Sequence, residues 1–291
     1  METKKKRALV LSGGGGRGAY ACGVYKYLEE IGWTPDILVG TSIGALNAAA
    51  IASGKNAADL ERLWLETRTR DMQRFWRLRP WGSLYDTTPW RRTLHRFIDF
   101  DQLNQSEQQV LIAATSVEDG DLHIFDNREM KLTPDHVIAS SSIPVVYPWT
   151  QIGDTHYWDG AVMANTPMGV AANAGADEIV VVLLSSVGER RKAPPRRPWD
   201  ALAVVLDMAL SATFEFDLKQ LQMVNEMVRA GVDKKHHIID AHLVVPSRDT
   251  SVMRIIRYDP KVSRELMEMG YADAQETLGA VSYTHLTLPT N

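Results

Sequence analysis

Three stretches of the chain carry residues whose types and spacing could do chemistry. The first is Ser12 followed by GGGGRG, Gly13 to Gly18. A glycine-rich loop between a strand and a helix lets backbone N–H groups crowd a negative charge, and the positive end of the helix adds to the attraction. One such charge is a phosphate: Gly13, Gly15 and Gly18 satisfy G-x-G-x-x-G after a strand. The acidic residue expected about 20 positions later, at the end of the second strand, is absent. Asp36 precedes that strand, and the loop lacks the Lys-Ser/Thr ending of a P-loop. The other charge is the oxyanion of an acyl-transfer intermediate, with Gly13, Gly14, Gly15 and Gly16 as donors. Arg17 would add charge or brace the loop. A plain tight turn is the third reading.

The second stretch is Gly40-Thr41-Ser42-Ile43-Gly44, the pattern G-x-S-x-G. A sharp strand-to-helix turn there pushes a serine hydroxyl into a cleft, and Gly40 and Gly44 avoid a collision across the turn. Ser42 could equally cap the helix it opens. A serine nucleophile needs a proton acceptor. None of the eight histidines lies in a distinctive motif. The third stretch, Asp159-Gly160-Ala161, puts a carboxylate at a strand end, where an Asp-Gly turn is also a sufficient explanation.

These stretches need elements to position them. Ala8–Leu11 reads as a strand, Ala19–Ile31 as a helix stopped by Gly32, Ile37–Val39 as a second strand and Ile43–Ser53 as an alanine-rich helix. Strand–loop–helix twice over argues for a parallel sheet with helices on its faces, which brings both loops to one carboxyl edge. Residues 56–100 hold half of the eight tryptophans, with helices expected at 57–68 and 88–97. Further strands are expected at Val110–Thr115, Leu122–Phe125, Glu178–Leu184 and His237–Val245, and helices at Val137–Ser142, Pro167–Ala174, Trp199–Arg229 and Ser263–Leu278. Residues 185–198 read as an exposed loop, and VSYTHLTLPT at 281–290 as a non-native or disordered tail, 281–291.

Composition narrows the classes. The chain has 291 residues, 45% of them hydrophobic, and a formal net charge of −4. That is enough for one sizeable core, and the charge balance gives no reason to expect a nucleic-acid partner. One cysteine, Cys22, allows no intrachain disulfide. The apolar run after Lys4-Lys5-Lys6-Arg7 is too short for a signal peptide, and no segment reaches the roughly 20 apolar residues of a membrane span. A cytoplasmic location is expected, with peripheral membrane contact open to the basic start.

The sequence resembles the bacterial patatin-like phospholipases. The resemblance rests on LVLSGGGGRGAYACGVYKYLEE (Leu9–Glu30), GTSIGALNA (Gly40–Ala48), ASSSIPVVYP (Ala139–Pro148) and WDGAVMANTPM (Trp158–Met168). It implies a three-layer α/β/α fold with a mostly parallel sheet, one domain over 7–279, and a serine–aspartate dyad. By position, Ser42 is the nucleophile, Asp159 the base, and Gly13 to Gly16 with Arg17 the oxyanion hole. Thr41 and Ile43 complete the serine turn, and Gly160 and Ala161 the aspartate turn. Gly16 departs from the usual small or apolar residue there. No metal or cofactor is implied. The implied substrate is a phospholipid, lysophospholipid or acylglycerol ester, cleaved through an acyl-enzyme. A carboxylate near pKa 4 is a poor base for a hydroxyl, so burial is expected to raise its basicity. Segments 56–100 and 199–229 are candidate lid or acyl-pocket insertions, with Met208, Met223 and Met227 as an adaptable wall. Alternatives are an acyltransferase, an esterase using His156, and a nucleotide-binding module. Oligomeric state is not readable.

Overall fold

A computed structural model describes residues 5–75, 83–185, 194, 198–248 and 256–279. Two strand–helix units open the chain: β1 (Arg7–Leu11), α1 (Ala19–Glu30), β2 (Ile37–Thr41) and α2 (Ile43–Ala52). A helical stretch follows with α3 (Ala57–Glu66), α4 (Thr69–Met72), the short pair β3 (Arg74–Phe75) and β4 (Tyr85–Asp86), α5 (Thr88–Phe97) and α6 (Phe100–Asn104). Then come β5 (Gln109–Ser116), β6 (Leu122–Asp126), α7 (Pro134–Ala139), β7 (Thr150–Ile152) and β8 (Thr155–Asp159). The chain closes with α8 (Met168–Asn173), β9 (Glu178–Val182), α9 (Pro198–Arg229), β10 (Asp240–Val244) and α10 (Pro260–Gly279).

The main sheet runs β10-β9-β1-β2-β5-β8-β7, with β6 also on β5. The five strands from β10 to β5 are parallel, and β6, β7 and β8 pair antiparallel. Strand side chains alternate between faces, and the core divides accordingly. Leu9, Leu11, Leu38, Ile112, Val180 and Val182 pack with α1, α2, α3 and α10. Ala8, Val10, Ile37, Val39, Ile179 and Val181 pack with Met168 of α8 and with Phe214, Leu218 and Leu221 of α9. Apolar residues on both faces of β1, β2 and β9 therefore make three layers, as expected for buried parallel strands.

Some expectations shift. Helix α7 starts at Pro134, before the expected 137, because Thr133 supplies a capping box with His136 and proline suits the first turn. The β7–β8 hairpin was not expected; Gly153, at φ 61°, closes it between Ile152 and Thr155. Trp64 and Trp90 are core residues, 1% and 2% exposed. On α9, Phe214, Leu218 and Leu221 cover the sheet, while Met208 and Met223 face outward. The expectations for 281–291, for most of 185–198 and for Trp76 and Trp81 lie outside the described residues.

Candidate active site

The registers of β5 explain how distant residues meet. Ala113 pairs with Thr41 of β2 and Ile124 of β6, and Ala114 pairs with His123 of β6 and Asp159 of β8. Strand β6 therefore holds one edge of β5. Strands β2 and β8 share the other edge, running toward each other and ending at neighbouring positions. Ser42 follows the end of β2, and Asp159 is the end of β8. Parallel and antiparallel pairing on one edge is what brings the two residues together.

Ser42 sits at φ 57°, ψ −123°, a region that non-glycine residues rarely adopt. Such strain persists only where the surroundings enforce it. Here the Ser42 N–H donates to Ser140 Oγ at 2.8 Å, while Ala45 N–H returns to the Ser42 carbonyl at 3.0 Å. A Cβ on Gly40 would lie 2.5 Å from the Gly44 carbonyl oxygen, across the turn. A Cβ on Gly44 would lie 2.0 Å from the Leu11 carbonyl oxygen, so the second glycine is required by the neighbouring strand and not by the turn. The Ser42 side chain makes no cap bond to α2. Its hydroxyl lies instead near enough to the Asp159 carboxylate to lower that group's proton affinity.

Asp159 is 2% exposed. Burial pushes its carboxyl up to about 7, with the Ala161 N–H (2.8 Å to Oδ1) and the Ser42 hydroxyl pulling the other way. The strand end is pinned by Asp159 N–H to the Ser142 carbonyl at 2.9 Å. Two buried phenols, Tyr147 and Tyr258, feel the Asp159 charge. Burial chiefly, with Asp159 among the neighbouring groups, pushes the Tyr147 and Tyr258 hydroxyls up. The result is a buried carboxylate of raised proton affinity beside a serine hydroxyl.

The glycine loop closes the same edge. Gly13 N–H donates to the Asn165 carbonyl at 3.0 Å. Gly15 takes φ 56° at the start of a single 3-10 turn, Gly15–Gly18. The N–H groups of Gly14, Gly15 and Gly16 bond no described residue. Arg17 is fully buried and its Nε donates to the Gly14 carbonyl at 3.3 Å, bracing the loop. Asp36 accepts from the Arg7 N–H, at the opposite end of β1 from the loop, where it could not serve a ribose.

His156 points away. Strand alternation puts it on the opposite face from Asp159, and its Nδ1 pairs with Glu118 at 2.6 Å. No histidine among the described residues bonds Ser42 or Asp159. Among the described residues no cluster of three or more His, Cys, Asp or Glu could hold a metal ion. Sequence reasoning did not single out Ser140, Tyr147, Tyr258 or Asn165. Ser140 lies in a run of three serines, and only the fold distinguishes the one that faces Ser42. Tyr258 arrives from the far end of the chain, and no local pattern marks it.

Residues 9–172, over half of the chain, match the family model of the patatin-like phospholipases. The chain belongs to the patatin-like phospholipase family. Patatin-like phospholipase domain-containing protein 6 of Mus musculus is 27% identical over 188 residues, covering 62% of this chain and 14% of that protein. A cGAMP-activated phospholipase of Escherichia coli (strain TW11681) is 25% identical over 196 residues, covering 57% of this chain and 55% of that protein. The chain thus spans only part of the length of these relatives. The fold resembles that of VipD from Legionella pneumophila, with a TM-score of 0.50 at 13% identity over 96% of this chain and 67% of that one. No helix among the described residues is long and apolar enough to cross a membrane.

Proposed function

We propose that this patatin-like protein cleaves lipid carboxylic esters through Ser42 and Asp159, by way of an acyl-enzyme. The observation that carries the reading is a buried carboxylate, Asp159, whose proton affinity burial lifts to about 7, at a strand end beside the strained turn that holds Ser42. At neutral pH such a group is a better base than an ordinary aspartate and still has a substantial ionised fraction. As Ser42 Oγ bonds to the ester carbonyl carbon, its proton passes to Asp159. The carbonyl electron pair moves onto oxygen, where the open N–H groups of Gly14, Gly15 and Gly16 and the N-terminus of α2 offset the charge. Collapse breaks the bond to the alcohol, which leaves with the proton from Asp159. Water then repeats the sequence on the acyl-enzyme, giving the free acid.

The substrate class is a phospholipid, lysophospholipid or acylglycerol ester, a reading supported by membership of the patatin-like phospholipase family. The test is direct. A fluorophosphonate should label wild-type protein at Ser42, and Ser42→Ala and Asp159→Asn should each lower kcat/KM on a short-chain ester by about 10⁴-fold or more, by analogy with catalytic groups that act as a unit. Wild-type turnover in either variant removes the dyad.

A further inference from the structure

Asn165 is 5% exposed, yet its Oδ1 has no hydrogen-bond partner, and its Nδ2 bonds no described residue either. Its surroundings are otherwise closely stitched. The Asn165 carbonyl accepts from the Gly13 N–H at 3.0 Å. On either side, the Ala164 carbonyl accepts from Thr41 Oγ1 at 3.0 Å, and Thr166 Oγ1 and Ser12 Oγ share a hydrogen bond of 2.7 Å. Residues 164–166 are thus fastened to the carboxyl ends of both β1 and β2. Buried polar groups without partners are rare, and each asks for a ligand or a catalytic role.

The amide is beside the reacting centre. A Cβ built on Gly13 would lie 2.4 Å from Asn165 Oδ1 and 3.2 Å from the Ser42 Cβ. The amide and the nucleophile therefore flank the same glycine. Gly13 does not have a left-handed φ, so backbone conformation does not demand a glycine there. The space it leaves is the space Asn165 occupies.

We propose that the Asn165 side chain is a catalytic donor to the acyl oxygen, completing the anion site that the glycine loop begins. The two ends of an amide are nearly alike in shape. With no bond holding either, rotation of the amide by half a turn presents Nδ2 toward Ser42 at no cost in hydrogen bonds. An ester carbonyl oxygen is a weak acceptor in the ground state and a strong one once negative. The donor therefore acts chiefly on the transition state. This inference rests on the Ser42–Asp159 reading and adds a group that the glycine-loop motif does not contain.

The experiment compares wild type, Asn165→Ala, Asn165→Asp and Ser42→Ala on a soluble short-chain ester, with thermal unfolding of each. Asn165→Ala should lower kcat by about 10²–10³-fold with KM little changed, the effect of removing one oxyanion donor. Asn165→Asp keeps the shape, lacks the NH₂ group and should be at least as slow. The pH at which activity rises should not move, because the amide acts on the oxygen and not on the base. Tm should hold or rise, since the substitution removes a buried amide that bonds nothing. A raised KM with wild-type kcat would reassign Asn165 to substrate binding and overturn the proposal. So would a fall in Tm in both Asn165 variants with activity lost only in proportion to folded protein. If Asn165→Ala turns over normally while Ser42→Ala is inactive, this inference alone fails. If Ser42→Ala is active, the reading beneath it fails instead.

Discussion

Two strand ends in this protein each bury an aspartate, and the two carboxyls are shifted in opposite directions from their ordinary pKa. Asp159, at the end of β8, is pushed up to about 7 by burial, with only the Ala161 N–H and the Ser42 hydroxyl to offset it. Asp86, at the end of β4, is 5% exposed. Burial would raise it too, but the Thr88 hydroxyl at 2.6 Å, the Thr88 N–H at 2.9 Å and the Arg74 guanidinium at 2.8 Å more than reverse that. The carboxyl of Asp86 is held below the usual carboxylate range. Covering a carboxylate does not make it a base. Covering it with few hydrogen-bond donors and no cation does. One site has a structural anion with its charge fully answered, and the other has an acceptor held short of partners.

The difference is largest in stability against pH, measured on Asp159→Asn. A carboxyl raised from 3.8 to about 7 binds a proton more tightly folded than unfolded. Its favourable contribution is complete below about pH 4 and is lost as pH rises through about 7. Replacing it by the neutral amide should therefore raise stability at pH 8 relative to wild type, by up to about 4 kcal/mol at 1.36 kcal/mol per unit, with little gain at pH 4. Asp86→Asn should do the reverse. A depressed carboxyl gives stability that is present above the unfolded value and lost as pH falls through the folded one. Urea unfolding at pH 4 and pH 8 reads both. A gain of the same size for the two variants at pH 8 would erase the contrast.

The same carboxyl predicts how the rate depends on pH. Asp159 must be ionised to take the Ser42 proton, so kcat/KM should fall about tenfold per pH unit on the acid side of an inflection near 7. An ordinary aspartate would put that inflection near 4. Asp86→Asn should leave its position unchanged. A flat profile between pH 5 and pH 8 on a soluble ester would show that Asp159 is not the group whose ionisation limits turnover.

Much of this arrangement was legible in the sequence, and the boundary is physical. Local signals fixed β1, β2 and the turns after them, because glycine spacing and apolar runs are properties of a few adjacent residues. The likeness to patatin-like phospholipases then carried Asp159. What it could not carry was the reason Asp159 reaches Ser42, since a shared edge of β5 depends on the β7–β8 hairpin, whose strands are too short to announce themselves. Ser140, Tyr258 and Asn165 were illegible for a related reason. Their roles come from contacts across the fold, such as the Ser42 N–H on Ser140 Oγ, that no local pattern encodes. The orphaned Asn165 amide is the extreme case, being defined by bonds it does not make.

The smallest effect isolates the cation. Arg74→Gln removes the guanidinium from Asp86 and leaves Thr88 in place. The Arg74 side chain is 72% exposed, so solvent already screens the pair, and the loss of stability at pH 7 should be under about 1 kcal/mol. The carboxyl of Asp86 should nonetheless rise, because one of the three donors that oppose burial has gone and the two on Thr88 remain. Side-chain carbon shifts of Asp86, followed by NMR as pH falls, read this without needing a large change in stability. If Asp86 in Arg74→Gln titrates as in wild type, the Thr88 bonds alone hold it down. The contrast with Asp159 would then lie in hydrogen bonds and not in charge, and a base could be made at β4 only by removing Thr88.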